Sequence, residues 1–202
     1  MNKITKLSSL IFVLISASTN ASTELRFASP LDEVGLLNSD NTSASDISHP
    51  TCDDGQEKVN LSQLIYKIKN NRDVTQVCTS EITDMSNLFN GNTDFNQDIS
   101  NWDVKNVKSM SQMFYKASAF NQDLSRWDTS SVTDMKSMFA HAKAFNGPVG
   151  QWNTHSVTNM FRMFYHATSF NQPVGDWNMS NVTNITYMFS YASKFNQSLN
   201  NW

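Results

Sequence analysis

One pattern, Phe-Asn-x-x-aliphatic-x-x-Trp, returns every 25 residues without an insertion. Phe95, Phe120, Phe145, Phe170 and Phe195 mark it, as do Trp102, Trp127, Trp152, Trp177 and Trp202. A strict period of this length belongs to chains that stack copies of one small unit into a solenoid. Stacked units present long surfaces, so binding is the first use expected of them. The pattern speaks of architecture far more than of any partner.

Residues 132–156 serve as the type copy. Their apolar positions Val132, Met135, Met138, Phe139 and Ala142 put one stripe on a short helix of period 3.6. Thr133 and Asp134 at its start can cap free backbone N–H groups, and the carboxylate suits the positive end of a helix. Phe145 to Trp152 holds turn formers and widely spaced apolar residues, which predicts a brief extended segment and a corner.

The same columns run through every copy. They are Ile82, Val107, Val132, Val157, Val182; then Met85, Met110, Met135, Met160, Ile185; then Leu88, Met113, Met138, Met163, Met188; then Phe89, Phe114, Phe139, Phe164, Phe189. Ala117, Ala142, Ala167 and Ala192 form a small-residue column that Asn92 breaks, and Ile99, Leu124, Val149, Val174 and Leu199 supply the aliphatic position. Burying each large side chain contributes ~1.5–3 kcal/mol. Ordering the backbone costs ~1–2 kcal/mol per residue. One copy alone is therefore unstable, and stacking on neighbours must supply the difference.

Asn96, Asn121, Asn146, Asn171 and Asn196 share a column, which predicts an internal ladder satisfying backbone groups of adjacent coils. The tryptophans read first as corner fillers packed on one another, and second as an exposed strip for a glycan or another partner. Pro148 and Pro173 fall in the extended segment and lack the N–H of a central ladder, so any sheet there is short. The chain stops at Trp202, part-way through the fifth copy, with no polar capping repeat; this predicts an open last layer able to dock with another chain or self-associate.

Little in the chain suggests catalysis. His141 and His166 occupy one column, but Gly91, Lys116 and Tyr191 occupy it too, so it reads as an exposed flank and not as a metal site. Asp84, Asp134, Asp98 and Asp123 sit in columns that change to Ser109, Asn159, Pro148 and Ser198, which argues against a calcium ladder. No nucleophile–base arrangement, phosphate loop or cofactor motif is expected. A net charge of −3 gives no basic footprint for nucleic acid.

Residues 1–21 read as a signal peptide: a basic start, the apolar run Leu10 to Ile15, and small residues ending near Ala21. That run is too short to span a membrane, and no later stretch reads as a transmembrane segment. Residues 22–57 are rich in Ser, Asn, Asp and Thr and read as a flexible leader. Residues 58–81 form an N-terminal cap of helix plus strand. Leu61, Leu64, Ile65 and Ile68 share one helical face there, able to cover the first layer of the repeats at 82–202. Cys52 and Cys78 form an even pair in an exported chain and are expected to bond.

The repeat Val-Thr-Asp-Met-x-x-Met-Phe-x-x-Ala-x-x-Phe-Asn-Gln-x-Leu-x-x-Trp resembles that of BspA-like leucine-rich-repeat bacterial surface proteins. It is nearer still to their mycoplasma-lipoprotein-type surface repeats. Residues 107–127, 132–152 and 157–177 carry the match, and 82–102 and 182–202 follow it loosely. Asp73 to Ser80 is similar to the lead-in placed before the first repeat. The resemblance implies an α/β solenoid, right-handed and leucine-rich-repeat-like, with short strands on one face and short helices on the other. It also implies export to the cell surface or beyond, with protein binding or adhesion as the usual role. The expected molecule is thus a noncatalytic recognition module whose protein or glycan partner is unnamed. The candidate binding face comprises the variable positions of the extended segment: Asp98, Ser100, Asn101, Asp123, Ser125, Arg126, Gly150, Gln151, Asp176 and Asn200.

Overall fold

The computed structural model describes residues 48–53 and 55–202, all within one compact unit. The readings on residues 1–21, and most of those on 22–57, lie outside the described residues. Three regular elements lead into the repeats: β1 (Glu57–Lys58), α1 (Leu61–Lys69) and β2 (Val77–Cys78), with β1 and β2 paired in parallel. Asn60 starts α1 with a reciprocal cap. Its side chain accepts from the Gln63 backbone N–H at 3.0 Å, and its own N–H donates to the Gln63 side chain at 2.9 Å. Lys67 and Lys69 in the last turn suit the negative end of the helix. Leu64 and Ile68 are buried, Ile65 is partly so, and Leu61 is exposed. The Cys52–Cys78 disulfide is formed.

From Asp84 onward consecutive copies lie one on the next. Parallel bridges pair Asp84 with Ser109, Ser109 with Asp134, Asp134 with Asn159, and Asn159 with Asn184. Corresponding rings stack: Phe114, Phe139 and Phe164 at 5.3 and 5.6 Å, and Phe120, Phe145 and Phe170 at 5.9 and 6.0 Å. The methionine, alanine and valine columns of residues 107–177 are buried throughout. In the fifth copy the same columns are less covered. Val182, Phe189, Phe195, Leu199 and Trp202 are partly buried, and Ile185 is 49 % exposed.

The short helix expected in each copy does not form, and neither do strands in the extended segments. Overlapping turns take the helix's place. In the type copy, the N–H groups of Met138, Ala140 and Ala142 return to the carbonyls of Met135, Ser137 and Phe139. The intervening N–H groups, of Met135, Ser137, Phe139 and His141, donate to Asn159, Phe161, Met163 and Tyr165 of the next copy at 2.7–2.9 Å. Beyond its first turn an α-helix sends each N–H to its own i−4 carbonyl and leaves it unavailable to a neighbour. The turns divide the donors between the copy and the one after it, so stacking is fixed by backbone bonds as well as by rings. The cost is left-handed backbone at two columns: Asn87, Gln112, Ser137, Arg162 and Tyr187, then Gly91, Lys116, His141, His166 and Tyr191. Glycine serves at only one of these ten positions. Asp134 is therefore not a helix cap. Its carboxylate accepts from the Lys136 N–H at 2.9 Å in a side-chain turn, as Asp84, Ser109, Asn159 and Asn184 do for their own copies. This column needs an acceptor and not a charge, which is why Asp, Ser and Asn interchange in it.

Candidate functional site

The asparagine column joins the copies through its side chains. Asn96, Asn121, Asn146 and Asn171 each accept from the backbone N–H of the next asparagine at 2.8–2.9 Å. These are the bonds of the ladder expected, but the row lies mostly at the surface, with only Asn171 half-buried, so the ladder is an outer seam and not an internal one. Glutamines beside it strengthen the seam: Gln122, Gln172 and Gln197 donate to the carbonyls of Asn96, Asn146 and Asn171. Gln97 does the same for Arg72, so the lead-in chain acts as half a copy. Val74 and Val77 fill the aliphatic and tryptophan columns of that half copy.

The tryptophan strip is not exposed. Trp102, Trp127, Trp152 and Trp177 are at most 3 % exposed. Their Nε1 groups donate to the carbonyls of Val74, Ile99, Leu124 and Val149 at 2.8–3.1 Å, and Trp202 repeats the bond to Val174. An indole has one donor, and here the previous copy's chain takes it. A row of indole faces open to a glycan is thus absent among the described residues. Acrylamide quenching of the native protein is expected to be weak, rising several-fold only on denaturation; strong quenching of the native state would contradict this packing.

The ten positions of the extended-face candidate separate on inspection. Asp98 and Asp123 accept from the N–H groups of Ser100 and Ser125, and these local turns shape the chain. The backbone N–H and side chain of Ser100 hold the Asp98 carboxyl below the ordinary carboxylate range. Asn101 and Arg126 meet at 3.3 Å, and Arg126 also engages the carbonyl of Ser48 while His49 reaches the carbonyl of Arg126. They border a cleft of about 330 Å³ that the segment 48–53 helps to enclose. Asp176 accepts from the Asn201 side chain at 2.9 Å, and the Asn200 N–H approaches the Ser198 hydroxyl at 3.4 Å. Gln151 is exposed.

Gly150 is a spacing residue. A Cβ there would lie 2.5 Å from the Pro173 carbonyl oxygen of the next copy. Gly175 stands in the same relation to Ser198. Where aspartate gives way to Pro148 and Pro173, the serine two positions on gives way to these glycines. Gly150→Ala is expected to destabilise by about 1–3 kcal/mol through overpacking, measured as a lowered urea midpoint with an unchanged slope.

A different face carries a charge pattern. Through residues 110–120, 135–145, 160–170 and 185–195 no carboxylate occurs, while Lys116, Lys136, Lys143, Arg162 and Lys194 do. His141 and His166 stack at 4.9 Å, and His166 stacks on Tyr191 at 4.3 Å. Tyr165 meets His141 edge-on at 5.3 Å. The Arg162 guanidinium lies 4.9, 5.1 and 5.3 Å from the rings of Phe161, Tyr165 and Tyr187. Partial burial, with His166, Lys116, Lys143 and Arg162 nearby, holds the His141 imidazole below the usual histidine range. Counting each column for exposure hid this cluster; summing charge over the turn segments would have found it.

No group of three or more His, Cys, Asp or Glu side chains able to hold a metal ion occurs among the described residues. No described helix is long and apolar enough to cross a membrane. A second cleft of about 640 Å³ lies beside α1, lined by Tyr66, Lys67, Arg72 and Asp73 among others, with no nucleophile–base pair in it.

Comparison with protein families finds one match, the family described as "Mycoplasma protein of unknown function, DUF285", over residues 59–156 and again over 126–202. No curated protein matches, and no solved structure does.

Proposed function

This chain belongs to the DUF285 family, and from that premise we propose that it is an exported, noncatalytic recognition module of the BspA-like leucine-rich-repeat kind. The proposed architecture is a right-handed solenoid of five 25-residue units behind an N-terminal cap. One observation carries the reading: the apolar columns that repeat are buried through copies one to four, whereas most of the polar residues that change from copy to copy are at least partly exposed. A scaffold of this kind can alter its outer side chains without disturbing its core, and repeat arrays use such surfaces for binding. The disulfide favours an oxidising compartment outside the cytosol.

The test uses the full chain, labelled, against purified extracellular-matrix proteins and intact cells in an equilibrium binding assay. Saturable binding to at least one protein target, abolished by prior unfolding, supports the reading. Absence of binding across the panel, or turnover of a substrate by the purified chain, counts against it. Glycan binding through the tryptophans loses its premise with their burial.

A further inference from the structure

The turn segments of copies two to five carry no carboxylate, whereas the extended columns carry one in several copies. Every acidic residue of copies two to five sits in other columns, at Asp123, Asp128, Asp134 and Asp176. The ion pairs among the described residues are Lys67–Glu57 and Lys105–Asp103, so none of the turn-face cations is paired with a carboxylate there. The Arg162 Nε is buried without an acceptor. That atom is out of a partner's reach, and it is the positive charge held among three rings that suits a partner's carboxylate.

The kind of anion follows from the rings. Sugars and nucleobases are read by stacking on aromatic faces. Here His141, His166 and Tyr191 stack on one another, at interplanar angles of 9° and 11°, so their faces are largely taken and their edges remain. Ring edges carry imidazole N–H and phenol O–H donors. Tyrosine with arginine is also the composition enriched where proteins meet proteins. An extended peptide rises ~3.3 Å per residue and places side chains of one face ~6.6 Å apart. That is near the step between copies, 5.3–6.0 Å by the phenylalanine rings.

We propose that the turn face of copies two to four, with Lys194 of the fifth, docks an extended acidic polypeptide segment. The proposal rests on the recognition reading above and names its partner class. Lys116, Lys143 and Lys194 are exposed, and Lys136, Arg162, His141 and His166 are half-buried, so a chain crossing three layers meets a charge at each. Acidification strengthens the docking. Partial burial first, and then repulsion from His166, Lys116, Lys143 and Arg162, hold His141 below its ordinary pKa in the free protein, with Tyr115 and Tyr165 edge-on to it. A bound carboxylate offsets that repulsion and draws a proton onto the ring. Binding therefore takes up protons, and affinity rises as pH falls from about 7.5 to 5.5, where glutamates (ordinary pKa ~4.3) stay ionised.

The experiment titrates the full chain with a synthetic glutamate-rich peptide at both pH values, beside heparin and a single-stranded oligonucleotide of matched charge. Expected are binding of the peptide, severalfold tighter at the lower pH, and a loss of about tenfold or more in Lys116→Glu/Lys143→Glu, since two exposed charge pairs can each contribute up to ~1 kcal/mol. Asp98→Asn/Asp123→Asn, on the extended segments, is expected to leave peptide affinity within about twofold. Circular dichroism checks that both variants fold; should the lysine reversal fail to fold, Lys116→Ser/Lys143→Ser takes its place. Peptide binding that ignores the lysine changes, no peptide binding at either pH, or heparin or oligonucleotide binding to this face in preference to the peptide overturns the proposal. If a protein target from the panel is bound but the peptide does not compete for it, this inference fails while the recognition reading stands. If no target is bound at all, that reading is what fails.

Discussion

Phe139→Ala is expected to destabilise the protein by about 3–5 kcal/mol, a large part of the 5–15 kcal/mol that holds a typical domain together. The ring is fully buried and touches four others: Phe145 at 3.9 Å in its own copy, Phe114 at 5.3 Å before it, Phe164 at 5.6 Å after it, and Trp152 at 6.2 Å. Removing it opens a cavity between two interfaces, and the backbone bonds from Phe139 to Met163 and from Phe114 to Met138 limit how far the coils can close over it. Phe189 holds the same column in the fifth copy, where it meets Phe164 at 5.6 Å and is only partly buried. Phe189→Ala is therefore expected to cost no more than about half as much, because a repeat array sums nearest-neighbour terms and this residue has fewer. Urea unfolding of the two variants measures both numbers. Equal losses would mean that the layers do not act as a chain of neighbours.

The columns were legible because burial leaves a strict mark: a side chain that must sit on its own copy in the layers above and below cannot vary. The local backbone was not legible. Spacings of three, three, one and three fit a helix and a run of overlapping turns equally, and the feature that decides between them is left-handed backbone at Ser137 and His141. Glycine would have announced it. Here Ser, His, Arg, Lys and Gln adopt it, held there by N–H bonds to the following copy, such as Ser137 to Phe161 and His141 to Tyr165. Inter-copy bonds involve residues about one period apart and leave no periodic trace within a copy. The cap helix was easier, because Leu61, Leu64, Ile65 and Ile68 mark one face within a single uninterrupted run. Variability alone singled out the extended segments as a surface, yet Asp98, Asp123 and Gly150 vary together for backbone reasons: aspartate with serine makes a side-chain turn, and proline with glycine makes room for the next copy. The turn face emerges only when the absence of carboxylates is read across several copies at once.

Cys52→Ser/Cys78→Ser is expected to cost about 3 kcal/mol by the chain-entropy estimate for a loop of this size, and to cost it unevenly. The bond spans 26 positions and encloses β1 and α1, while Cys78 lies in β2 with 2 % exposure. Without the tether, β1 keeps a two-residue pairing to β2, and α1 keeps Leu64, Ile68 and the exposed Lys67–Glu57 ion pair, which adds little. The cap thus loses a large share of what restrains it, whereas copies two to four keep every ring contact and backbone bond they had. Hydrogen exchange reads the difference directly: amides of α1 and β2 lose protection in the variant, and those of residues 132–170 keep theirs. The weakened cap also exposes the first layer, where the Trp102 indole donates to Val74, so Trp102 should be the first of the four buried tryptophans to become accessible to quencher. Uniform loss of protection along the chain would show that cap and repeats unfold as one unit, and a stability change below about 0.5 kcal/mol would show that the disulfide restrains little in the unfolded chain.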